Sequence, residues 1–241
     1  MKLILKEFRS LFWIGVGIEI LFALFLAILL FRYNPHVITN FRYDSESFYQ
    51  GYLYENWFYS SLLFLTPLLG ILIGITVMSK DVAHKTIALL FIKPISRRRL
   101  ITYKFISGIV AIIILLGLPN IFIYIFSLCY GETIPSYFIS TSMLYVSLLI
   151  SLFYALTFFL ANLTRLTSFP LIISLMLWIT CLYAFKNSNA PFNKLLPLHL
   201  IEKRNLIISN EINFFEITYW LSLIIVFYCA SYAVFKKKDV E

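Results

Sequence analysis

Glu19 stands near the middle of a largely apolar run from Leu11 to Phe31, 21 residues long. A carboxylate in such a run is costly and persists where it faces water, lines a polar path or bonds a neighbouring helix, or where it stays protonated. Acid–base or nucleophilic chemistry would need partners at the same depth, and Glu19 is the only carboxylate deep in an apolar run. No pair of glutamates and no His-x-x-x-His-like set occurs, and His36, His84 and His199 lie far apart. Cys129, Cys181 and Cys229 have no C-x-x-C spacing and fall in or at the ends of apolar segments, where a buried thiol acts as a small apolar residue rather than a metal ligand or disulfide. The phosphate-cradling pattern G-x-x-x-x-G-K-[ST] is absent. This inventory argues against an intramembrane protease or lipid transferase and leaves Glu19 as a path-lining or interhelical group.

The residues that must position Glu19 are mostly apolar. The chain has 241 residues, 61% hydrophobic and 13% charged, with a net charge of +8. Soluble domains carry about a quarter charged residues, so this composition predicts an integral membrane protein forming one membrane domain over residues 1–241. A bilayer core takes about 20 apolar residues per helix. Six runs qualify: 11–31, 57–79, 101–128, 139–163, 167–185 and 215–235. A secretory signal core is shorter, about 7–15 residues, so the first run reads as a retained span. Pro67 falls in the second run, and Pro119 predicts a kink in the third, with Asn120 satisfying the freed backbone. Gly70 and Gly74 form one G-x-x-x-G, a pattern that permits close helix contact. Trp13, Trp57 and Trp220 suit headgroup depth.

Cytoplasmic pieces of membrane proteins are enriched in Lys and Arg. With both termini inside, 14 of the 20 basic residues fall on inner pieces. The opposite orientation would place Arg97, Arg98, Arg99 and Lys236 to Lys238 outside. Asn162 and Arg165 then mark the inner turn between the fourth and fifth spans. Residues 1–10 interleave Leu3, Ile4 and Phe8 with Lys2, Lys6 and Arg9, which suggests a helix lying on the inner surface against anionic headgroups. Between the fifth and sixth spans, Leu195, Leu196, Leu198, Leu200 and Ile201 form either interfacial helices or an ordered loop with aliphatic anchors.

The largest inner loop reads "SKDVAHKTIALLFIKPISRRRL", residues 79–100. Asp81 and Thr86 are helix-starting types, Thr86 to Ile92 makes about two turns, and Pro94 ends it. Arg97, Arg98 and Arg99 anchor the chain at the inner surface, and Lys104, just inside the third span, is placed to reach the headgroups. Topology accounts for these charges. It does not account for Ile87, Leu89, Leu90, Phe91 and Ile92, an apolar turn that suits a docking partner.

An acidic residue, a threonine, an apolar run, "P-x-S-R" and a lysine entering the next helix resembles the membrane subunits of type-2 ABC exporters. Here the pattern reads Asp81, Thr86, "IALLFIK", "PISRRRL" and Lys104. The N-terminal "KEF" and the C-terminal "FKKKDVE" are similar to that family too, whereas Asp81 and Lys85 stand where it usually has Glu and Gly. The resemblance implies an all-α permease with six transmembrane helices, N-in/C-in, an N-terminal interfacial helix, and a short cytoplasmic coupling helix between spans 2 and 3. His84, Lys85, Thr86, Ile87, Leu89, Leu90, Phe91 and Lys93 would dock on a separate ABC-type ATPase, which would carry ATP and Mg²⁺. A second permease chain, identical or sister, would complete the unit in the plasma membrane, in contact with lipid and not with nucleic acid. This chain would be non-catalytic and bind no cofactor, Glu19 would line the substrate path, and the cargo would be amphipathic, such as a peptide or antimicrobial. The competing reading is a stand-alone immunity or assembly protein, which has no need of an apolar inner docking helix.

Overall fold

A computed structural model describes residues 16, 17, 20, 21, 24, 28, 53, 60–79, 96–129, 134–164, 168–187 and 214–237. Nearly all of them are helical. Helix α1 spans Ser60–Gly74 and continues as a π-helical turn, Ile75–Ser79. It is followed by α2 (Arg97–Cys129), α3 (Ser136–Leu163), α4 (Ser168–Asn187) and α5 (Phe214–Lys237). The described positions between 16 and 28 are helical as well. Lipid offers backbone groups no partners, so an apolar run of this length satisfies its amides internally as helix. Among the described residues, α2, α3 and α5 are long and apolar enough to cross a bilayer, and Thr66–Met78 and Ser168–Tyr183 are shorter apolar helical stretches. The N-terminal ten residues, the Leu195–Ile201 cluster, Trp13 and Trp57 lie outside the described residues.

The ends of the helices carry local signals. Helix α2 starts at Arg97, earlier than the apolar run suggests. Ser96 caps it: the Ser96 hydroxyl accepts from the Arg99 amide at 3.4 Å, and its carbonyl accepts from the Leu100 amide at 3.1 Å. Helix α3 follows Pro135 and closes at Thr164, whose amide and hydroxyl both donate to the Leu160 carbonyl, at 3.2 and 3.1 Å. Helix α2 runs as one element through Pro119. The carbonyl that loses its usual donor to Pro119 belongs to Leu115. The Asn120 amide instead donates to the Leu116 carbonyl, at 2.7 Å, one position beyond the group the sequence pointed to.

Helix α3 is the hub. It packs most extensively on α1 and also contacts α5, α2, α4 and the π-helical turn. It is buried along most of its length, including Ile150, Phe153, Tyr154 and Phe158. Three glycines let it approach. A Cβ on Gly70 would stand 2.5 Å from the Ile150 carbonyl oxygen, and one on Gly74 would stand 2.8 Å from the Thr157 Cβ. The G-x-x-x-G of the second run therefore does what the pattern permits: it seats α1 directly on the backbone of α3. Gly108 of α2 lies under the Tyr154 ring, where an added Cβ would be 2.3 Å from the ring's Cζ. Rings extend the contact sideways, with Phe105 centred 5.3 Å from Tyr154 and 5.4 Å from Phe158, and Phe153 edge-on to Trp178 at 5.4 Å. Trp220 is buried in the bundle. Cys129 and Cys229 are exposed on its outside instead of buried.

These clashes differ in kind, and so do the mutants. Gly108→Ala should lower stability by about 1–3 kcal/mol, as overpacking does, and Tyr154→Ala in the same chain should remove the added penalty, because the clash is with a side chain. Gly70→Ala should cost at least as much and should not be relieved by trimming Tyr154, because it meets α3 backbone. Thermal unfolding of the four variants in detergent tests the contrast.

Candidate functional site

Most of the sequence-predicted site falls outside the described residues: Glu19, Asp81, and His84, Lys85, Thr86, Ile87, Leu89, Leu90, Phe91 and Lys93. The structure describes the frame that holds the 80–95 segment. Ser79 ends the π-helical turn on one side, and Ser96 caps α2 on the other. Arg97 opens α2, and Arg98 and Arg99 are exposed in its first turn.

The same end of the bundle gathers other chain segments. Lys104 and Phe105, near the start of α2, meet Tyr154 in the second half of α3. Thr102 meets Tyr228 in the second half of α5. The π-helical turn, the start of α2, the second half of α3 and the second half of α5 therefore lie at one end of the bundle, called here the loop end.

Lys104 departs from its predicted place. It does not reach out to headgroups: only 1% of its surface is exposed, and its ammonium donates to the Val77 carbonyl at 3.0 Å. Val77 lies within the π-helical turn, whose winding departs from the regular ladder. A lysine of α2 thus donates to the backbone of the neighbouring helix. The Lys104 backbone is held in turn, with its carbonyl accepting from Ser107 Oγ at 2.7 Å and from the Tyr154 hydroxyl at 3.2 Å. The same hydroxyl is 3.1 Å from the Phe105 carbonyl. Tyr154 is fully buried, so its hydroxyl requires such partners.

Three further ties cross between helices at this end. Thr102 Oγ1 and Tyr228 OH are 2.7 Å apart, joining α2 to α5, with the Phe105 and Tyr228 rings centred 4.9 Å apart beside them. Thr157 Oγ1 and Ser174 Oγ, buried at 2.9 Å, join α3 to α4. The Asn162 amide donates to Ser231 Oγ, joining α3 to α5. Asn162 was expected in the turn after the fourth span, but it is a buried residue within α3, and the connection begins at Thr164. Arg165 lies outside the described residues. Sequence reasoning missed Tyr154, Thr157, Ser174, Tyr228 and Ser231. Their signal was present but thin: single hydroxyls inside apolar runs, most of which bond their own helix when no neighbour is near.

Chemically these groups are ties. A hydroxyl acts as a nucleophile when an adjacent base activates it, and the named hydroxyls face carbonyls, other hydroxyls or an amide. Among the described residues no group of three His, Cys, Asp or Glu comes together. The arrangement transmits position, and its strength is measurable. Thr102→Val and Tyr228→Phe should each destabilise the bundle, with a coupling near 0.6 kcal/mol and no more than about 1.7, the span found for interhelical bonds in membranes. A double-mutant cycle in a bilayer mimetic measures it, and additive effects would show that the pair contributes nothing.

No curated protein matches the chain at the significance required. The family model described as ABC-2 family transporter protein matches residues 1–240. That match takes in every helix described above and the 80–95 segment between α1 and α2. The apolar bundle, with its polar ties, is thus a membrane chain that belongs to the ABC-2 transporter family.

Proposed function

We propose that this chain is the permease subunit of an ATP-driven exporter. Two permease chains and two ABC-type ATPase subunits would form the unit, with ATP and Mg²⁺ on the ATPases and no catalytic group here. Its six spans would place both termini and the 80–95 segment on the inner face of the plasma membrane. The cargo would be amphipathic, of the peptide or antimicrobial kind, and Glu19 would line its path. His84 to Lys93 would form the coupling helix that docks on the ATPase.

The observation that carries this reading is the family match over residues 1–240. The loop end supports it mechanically. The 80–95 segment is rooted in α1 and α2, and both are tied to α3 within two turns of the start of α2 by Lys104, Phe105 and Tyr154. A push delivered to that segment would be borne by the bundle rather than absorbed at its root.

Co-purification tests the reading. A chain tagged after Glu241, expressed in its native host and extracted in mild detergent, should bring down an ABC-type ATPase in stoichiometric amount. Leu90→Asp with Phe91→Asp should abolish that recovery while the chain still inserts and stays monodisperse. A well-folded sample that repeatedly carries no ATPase would overturn the permease reading in favour of a stand-alone membrane protein.

A further inference from the structure

We infer that Lys104 is a positioning residue: its ammonium, bonded to the Val77 carbonyl, holds the turn Ile75–Ser79 in its wider π winding. It thereby sets the direction in which the chain leaves α1.

Several observations converge on this joint. The π-helical turn is rare, departs from the regular ladder and is found disproportionately at functional sites. Here it lies where α1 gives way to the 80–95 segment. Its start is fixed by Gly74, which is pressed against Thr157 of α3 too closely to admit a Cβ. Within it, Thr76 Oγ1 donates back to the Ile73 carbonyl at 3.0 Å, and Val77 and Met78 are buried. The turn presents the Val77 carbonyl to α2, and Lys104 meets that carbonyl at 3.0 Å.

The donor is itself immobilised. The Lys104 carbonyl accepts from Ser107 and Tyr154, and the Tyr154 ring is trapped over Gly108. A buried ammonium is tolerated only with polar partners, and the Val77 carbonyl is one of them. A methionine has similar length and no donor, so the turn would lose this restraint and could rewind towards the regular α register, rotating every residue that follows. The bond itself stands apart from any function. Its consequence for an ATPase rests on the permease reading.

Val77–Met78 is the only Val-Met pair in the sequence. A chain labelled with carbonyl-¹³C valine and ¹⁵N methionine, held in lipid nanodiscs, therefore gives a single carbonyl–nitrogen correlation for the peptide that Lys104 touches. Lys104→Met should move this correlation and speed amide exchange at Met78 and Ser79 about tenfold, as the loss of one hydrogen bond would. Lys104→Arg, which keeps donors, should stay nearer the wild-type position, with helix content unchanged in both.

If Lys104→Met does not fold, Tyr154→Phe serves instead, since it loosens the Lys104 backbone and should move the same correlation. In the complex with the co-purified ATPase, Lys104→Met should lower ATP hydrolysis by about fivefold or more, in the range of ordinary site-to-site coupling, and Lys104→Arg should restore it.

A correlation unmoved by Lys104→Met, or by Tyr154→Phe in its place, overturns the inference whatever the ATPase does. A moved correlation with hydrolysis at the wild-type rate overturns the positioning role. A moved correlation in a chain that never recovers an ATPase leaves the bond standing and overturns the permease reading.

Discussion

In a bilayer, an apolar side chain that leaves lipid for another helix exchanges one hydrocarbon for another, so helices associate where backbones come close or polar groups meet. Both occur along α3. Gly70 and Gly74 admit its backbone on one side, and Gly108 admits the Tyr154 ring on the other. The tyrosine then carries a hydroxyl to the backbone of α2 at Lys104 and Phe105. Close approach comes first in this sequence of causes. With a methyl group at position 108 the ring could not lie where its hydroxyl reaches those carbonyls, and the anchor under Lys104 would go with it.

The ties between Lys104 and Val77, Tyr154 and α2, Thr102 and Tyr228, Thr157 and Ser174, and Asn162 and Ser231 fall in the loop-end half of the bundle. Toward the other end, α2 presents Ile121, Tyr124, Ile125 and Leu128 outward, and Ser127 bonds its own helix through the Tyr124 carbonyl at 2.7 Å. Such an exposed apolar face suits lipid or another apolar surface. On the proposed reading these ties have a use: the segment that receives force is rooted in helices that hydrogen bonds hold to one another.

Much of this was legible in the sequence, for physical reasons. Apolar runs of membrane length leave the backbone no alternative to helix, so the helical elements follow from hydropathy alone. The second run's two glycines at a spacing of four share a helix face, and the structure seats that face on α3. What escaped was where single polar residues point. Hydropathy placed Lys104 near a helix start beside three arginines, where the headgroups are the default partner of a long cation. The competing partner was a backbone carbonyl of another helix, and only the packing against α2 reveals it. Thr102, Ser174 and Ser231 look like ordinary small residues in apolar runs, and become ties only because α4 and α5 fold back on the same end. The start of α2 was misplaced by four residues because the apolar run was followed instead of the cap, although Ser96 before a basic run was a readable N-terminal signal.

The start of α2 carries an electrostatic oddity that these contacts resolve in part. Arg97, Arg98 and Arg99 occupy its first turn, and no acidic residue accompanies them there. Cations at a helix N-terminus oppose the dipole by about 0.3–1 kcal/mol each when exposed, so helix stability alone would not have placed them. On the proposed topology they have another role: basic residues at a membrane boundary keep that boundary on the side where they stand. Arg98 and Arg99 are exposed, a setting in which solvent and salt screen the opposing dipole. Lys104 is buried, and its ammonium donates to the Val77 carbonyl. On that reading one short stretch holds cations for two different reasons. The arginines answer to the membrane, and the lysine answers to the neighbouring helix.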